Sequence, residues 1–156
     1  MYQGLLYLHN LGRWIIIILL VIAIFKSLAG MTGNKTFTSG DKKIGLFLMI
    51  TAHTMLLIGL YQWFAGPWGL HSIQAHGMKA VMHNTVARFW AVEHVTGMLI
   101  AIVLITIGRG SARKNISDKV KHSRSFWFYL IAFIIIIATV PWPFREVARP
   151  LFPGMH

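Results

Sequence analysis

The chain has 156 residues, of which 56% are apolar and only 12% charged, against roughly 45–50% and about 25% in an average soluble domain. That balance excludes a soluble globular protein, and the length leaves no room for a separate catalytic domain beside the apolar runs. Lys and Arg number 15 against 4 Asp and Glu, a formal net charge of +11. These cations flank the apolar runs, where they meet anionic lipid headgroups, so a nucleic-acid partner is excluded. Cysteine is absent, which removes disulfides, iron–sulfur clusters and thiol catalysis.

Four apolar runs follow in chain order: Gly4 to Phe25, Ile44 to Ala65, Phe89 to Gly108, and Phe126 to Val140. The last is short, but Trp142 and Phe144 extend it past Pro141 into the interface, giving a span of about 126–143. Each span must satisfy its backbone groups internally and is therefore helical. The expectation is an all-α, integral membrane, up-down four-helix bundle with 1–156 as one domain. The first run lacks a basic leader and a small-residue cleavage site, so it is expected to remain in the mature protein.

Cation counts set the orientation. The connections between spans one and two and between three and four hold ten Lys and Arg, whereas Lys79, Arg88, Arg145 and Arg149 are the four on the other side. Both termini and the 66–88 loop are therefore expected to face outward, into the periplasm if the membrane is a bacterial inner membrane. Pro67, Trp68, Gly69 and Gly77 break that loop, while Ile73, Met78, Val81, Met82 and Val86 can line one side of a short interfacial helix.

The histidines stand out, eight in a chain with four acids. Three fall inside spans: His9, His53 and His94. At ~1.5 Å per residue, His9 sits about 9 Å outward of the middle of its span and His94 about 6 Å outward of its own, so the two are nearly level. Spans one and three run in the same direction and become diagonal partners in an up-down bundle. Two level imidazoles on opposite walls are what a planar macrocycle needs. His9 and His94 are each followed three residues later by a glycine, Gly12 and Gly97, one turn deeper on nearly the same face. Either these glycines make room for a flat cofactor or, with Ala101 and Gly108, they let helices pack closely. His53 lies roughly 8 Å deeper than His94 and lacks a partner for a second site; it is the third choice as a ligand.

Arg13, near the bilayer middle, requires an anion. Glu93 is the acid at comparable depth, and an Arg13–Glu93 pair is one solution; the carboxylates of a bound cofactor are the other, with Arg88 as a second cation for them. In the outward loop His71, His76 and His83, with Met78, Met82 and Glu93, offer soft and imidazole ligands for copper or zinc, although intervals of five and seven match no compact zinc pattern. His122 and His156 have no constellation around them. The six tryptophans cluster near the span boundaries as an aromatic belt does, with Trp14 and Trp90 also close enough to the histidines to line a pocket. Met98 shares a helix with His94 and cannot lie opposite it, which leaves it a packing role.

The stretches Leu8-His9-Asn10-Leu11-Gly12-Arg13-Trp14, Phe89-Trp90-Ala91-Val92-Glu93-His94 and Pro141-Trp142-Pro143-Phe144 resemble those of small four-span bacterial membrane proteins labelled cytochrome b-like, over essentially the whole chain. The resemblance implies non-covalent haem b and electron transfer, with iron held by paired histidines from facing helices. His9 and His94 match that role, and His53 does so less well. Larger di-haem members use four intramembrane histidines, one more than is present here. The resulting expectation is one haem near the outward side, held by His9 and His94 with Arg13 or Arg88 at its propionates, passing electrons rather than catalysing bond chemistry. Quinone or another respiratory membrane protein is the expected redox partner, with the bilayer and a further copy of the chain as other contacts. Alternatives are a cofactor-free accessory subunit of a membrane complex and a histidine-built copper or zinc site in the loop.

Overall fold

The computed structural model describes residues 1–152; His156 lies outside the described residues. Four helical segments are long and apolar enough to cross a membrane. The first is α1 (Tyr2–Thr32) and the second α2 (Ser39–Ala65). The short helices α3 (Leu70–His83) and α4 (Thr85–Arg88) then lead through a π-helical turn, Phe89–Glu93, into α5 (His94–Gly110). A 3-10 turn at Ser111–Arg113 and a short connection precede α6 (Asp118–Thr139).

The chain marks several of these boundaries locally. Thr38 caps α2 reciprocally: its hydroxyl accepts from the Asp41 amide, and the Asp41 carboxylate accepts from the Thr38 amide at 2.8 Å. Ser117 caps α6 by accepting from the Val120 amide. Pro141 follows the end of α6 closely, so the fourth span runs over 118–139 rather than the expected 126–143. Trp142 and Phe144 do not prolong it. The chain turns back there, and the Trp142 indole donates to the Ile137 carbonyl at 2.8 Å.

Helices α1 and α5 each pack against both α2 and α6, so they stand diagonally across the bundle. The core between them contains Leu20, Leu48, Ala52, Ala101, Ile105 and Ala132, all fully buried. Lipid is as apolar as these side chains, so close packing across small residues holds the helices together. Gly97 lies against Thr139, and Gly108 against Tyr129, both on α6. The outer faces carry Ile18, Phe25, Phe47, Leu57, Val103 and Ile134, all exposed as lipid-facing residues are.

The loop helix differs from its expected pattern. Gly77 adopts φ 79°, ψ 151° and breaks α3 in its middle, a conformation open to glycine because it lacks a Cβ. The break resets the helical phase. Val81 is buried, while Met78 and Met82, expected on the same side, are exposed.

Candidate functional site

His9 on α1 and His94 at the start of α5 face each other across the bundle, with ring centres 6.4 Å apart and planes inclined at 69°. They open into a cavity of about 320 Å³ that extends inward to Ile16, Ile105 and Ile136. This is within the usual range for small-molecule and cofactor sites, roughly 300–1,000 Å³.

The placement of His94 depends on two backbone features. In the π turn, the His94 amide bonds to the Phe89 carbonyl five residues back. Such turns are energetically poorer than α-helix and need support; here the Trp63 indole on α2 donates to the Ala91 carbonyl at 3.0 Å. The second feature is the end of α6. His94 Nδ1 lies 2.9 Å from the Thr139 carbonyl oxygen. A carbonyl can only accept, so Nδ1 carries the proton, and in the neutral ring Nε2 keeps its lone pair. Trp142 serves Ile137 as described, and Arg145 Nη1 donates to the carbonyls of Ala138 and Val140 at 2.9 and 3.2 Å. The carbonyls that a helix end leaves without intrahelical partners are thus bonded by an indole, a guanidinium and an imidazole.

On the opposite wall, His9 is located by Gly59 of α2: a Cβ added there would stand 3.2 Å from His9 Cε1. His9 Nδ1 is buried without a hydrogen-bond partner, as are Asn10 Oδ1, Arg13 Nε and Gln62 Nε2. All four residues line the same cavity. Buried polar atoms are nearly always paired, so this concentration marks the cavity as a site for a polar-tipped ligand. Arg13 and Arg149 both line it, and among the described residues no Asp or Glu does.

Several expected residues lie elsewhere. Gly12 and Gly97 are not cavity walls: Gly12 receives the Met55 side chain and Gly97 that of Thr139, so both serve helix packing. The Arg13–Glu93 pair does not form. Arg13 Nη2 donates to the Leu151 carbonyl at 2.8 Å and more weakly to that of Pro150 at 3.4 Å, while Glu93 pairs with Arg88 at 2.6 Å. Arg88 also donates to the Met82 carbonyl and stays outside the cavity. His53 points away from the bundle, exposed, with Nδ1 donating to the Met49 carbonyl one turn back. His71, His76 and His83 are exposed on the loop. Among the described residues no three His, Asp or Glu side chains assemble as metal ligands. Trp14, Trp63 and Trp142 direct their indole N–H groups to backbone carbonyls of other segments or turns.

The sequence reading missed Gly59, Gln62, Arg149 and the Thr139 carbonyl. Gly59 sits one turn beyond Met55 on α2, and Gln62 is a polar residue late in an apolar run. Both could have been flagged as small or polar interruptions.

Fold and site together define a four-span membrane helix bundle whose central cavity is bracketed by two facing histidines. Comparisons with family models, with curated proteins and with solved structures return no match.

Proposed function

We propose that the cavity holds one b-type haem between His9 and His94 and that the protein transfers single electrons within the membrane. The observation that carries this reading is the separation of the two rings. Two imidazoles sharing one metal through bonds of ~2.0 Å, each ring centre a further ~1.1 Å behind its nitrogen, have centres about 6.2 Å apart; the rings here are 6.4 Å apart.

The surroundings suit this role. Ligating histidines commonly donate their other ring N–H to a carbonyl, which fixes the tautomer and raises ligand basicity; the Thr139 carbonyl accepts that bond from His94. Arg13 and Arg149 supply positive charge in a cavity that no described Asp or Glu lines, as a ligand carrying carboxylates needs. If bound, haem would supply a reversible one-electron couple, with His9 and His94 as the residues that would hold its iron. The chain's own residues hold the two imidazoles 6.4 Å apart, would place Arg13 and Arg149 near the propionates, and line the cavity with Ile16, Met55, Met98, Ile102 and Ile136. Electrons come from or pass to a quinone or another respiratory membrane protein, and both termini face the periplasm.

The test is the absorption spectrum of the detergent-purified protein. A sharp Soret band with resolved α and β bands on reduction supports haem. A featureless visible spectrum after supplying haemin contradicts it and returns the chain to the accessory-subunit reading, or to the copper or zinc reading if either metal co-purifies stoichiometrically.

A further inference from the structure

Residues 141–152 form a loop drawn across the mouth of the cavity. The Arg149 amide bonds to the Pro141 carbonyl at 3.1 Å and closes the loop. Its far end is held by one face of α1. Asn10 Nδ2 donates to the Pro150 carbonyl at 3.1 Å, and Arg13 Nη2 and Trp14 Nε1 both donate to the Leu151 carbonyl at 2.8 Å. Phe152 stacks on Trp14 with centres 5.6 Å apart. On the opposite side the Arg149 guanidinium lies 5.0 Å from the centre of the Trp90 ring, in the π turn that precedes His94.

The loop therefore bridges α1 and the start of α5, the two walls that carry the histidines. Pro141, Arg149, Pro150 and Phe152 line the cavity. Beyond Arg145 the loop is thinly packed. Pro141 and Val147 are buried and Trp142 and Arg145 bond to the end of α6, whereas Phe144, Ala148, Pro150 and Phe152 are exposed. Few buried contacts and a small set of polar tethers are the features of a segment that opens at low cost.

We propose that residues 141–152 act as a strap that gates the cavity, so that its ligand enters and leaves from the aqueous end of the bundle and not sideways from the lipid. Arg13 is the latch. With the strap closed it bonds to two strap carbonyls; an anionic group inside the cavity competes for the same guanidinium and so couples occupancy to the strap. The coupling needs an anionic occupant but not haem in particular, so this inference and the haem reading stand or fall separately.

The chain has no cysteine, which makes a single introduced thiol a clean reporter. Met98 lines the cavity one turn beyond His94. In a Met98→Cys background, the rate of modification by a neutral, water-soluble methanethiosulfonate reports access. Asn10→Ala with Trp14→Phe removes two tethers on the α1 side and should raise that rate about tenfold, the effect of two net hydrogen bonds on an open–closed ratio. Arg149→Gln releases the opposite side at a half-buried position and should also raise the rate, severalfold. Circular dichroism and gel filtration identify any variant that has lost the fold. An unchanged rate in folded Arg149→Gln, or in the folded double variant, overturns the gate and leaves the seam between α2 and α5, the loosest of the four neighbouring pairs, as the route.

Discussion

Gly97→Ala connects helix packing to the geometry of the site. A Cβ on Gly97 would stand 2.5 Å from Thr139 Cγ2 and 3.2 Å from its Cβ and Oγ1. Ordinary carbon contacts lie at about 3.5–4.0 Å, so the last turn of α6 must retreat by about 1 Å or Thr139 must rotate. Rotation is resisted because Thr139 Oγ1 donates to the Ile135 carbonyl at 2.7 Å. Retreat stretches the 2.9 Å bond from His94 to the Thr139 carbonyl beyond hydrogen-bonding range. Overpacking of this kind costs about 1–3 kcal/mol, and the lost bond about 1 kcal/mol more. Nitrogen-15 NMR of labelled histidine should show the His94 Nδ1–H signal moving or broadening in Gly97→Ala. The midpoint of thermal unfolding should fall by several degrees. Adding Thr139→Ala removes Cγ2 and Oγ1 and should restore most of both. If Gly97→Ala leaves the imidazole signal and the midpoint unchanged, or if Thr139→Ala does not rescue it, the coupling drawn between this glycine and His94 is wrong.

Three further outcomes follow from the same geometry. Gly59→Val fills the space against His9, where even a bare Cβ would be 3.2 Å from Cε1, and should displace the ring; haemin affinity should drop at least tenfold, with Gly59→Ala intermediate, by spectrophotometric titration. Trp63→Phe keeps the ring but removes the donor to Ala91, and should cost about 1–2 kcal/mol and speed amide exchange across residues 89–94, with the rest of α5 unaffected. Arg145→Met loses two bonds to the end of α6 and the contact with the Phe89 ring, 4.9 Å from its guanidinium carbon. It should lower stability by about 1–3 kcal/mol, read as a shift in the thermal midpoint, and wild-type stability would count against this account of the α6 terminus.

The four spans were legible because an apolar run long enough to cross a bilayer has few other folds, and the diagonal placement of spans one and three followed from short connections. The depth argument that set His9 and His94 level rested on helical rise alone, and the two rings do face each other. Their neighbours were less legible. A glycine three residues after a histidine reports a shared face but not what packs on it, and Met55 and Thr139 took the space beside Gly12 and Gly97. The counter-group for Arg13 was sought among acids, yet it consists of backbone carbonyls more than 130 positions away, where residue identity carries no signal. The π turn has the same character: its support comes from Trp63, 28 residues earlier. For His53, rotation about the α2 axis turns the side chain outward. A long apolar helix shows only weak polar asymmetry from which that rotation could be read.

Haemin titration of the purified protein, carried out in parallel on His9→Ala, His94→Ala and His53→Ala, tests the central claim most directly. The account predicts saturation at one haem per chain with a low-spin spectrum in the parent. It predicts the same endpoint in His53→Ala and loss of the low-spin spectrum in each of the other two. An unaltered spectrum in His9→Ala or His94→Ala, or its loss in His53→Ala alone, would contradict a haem held between the two facing imidazoles.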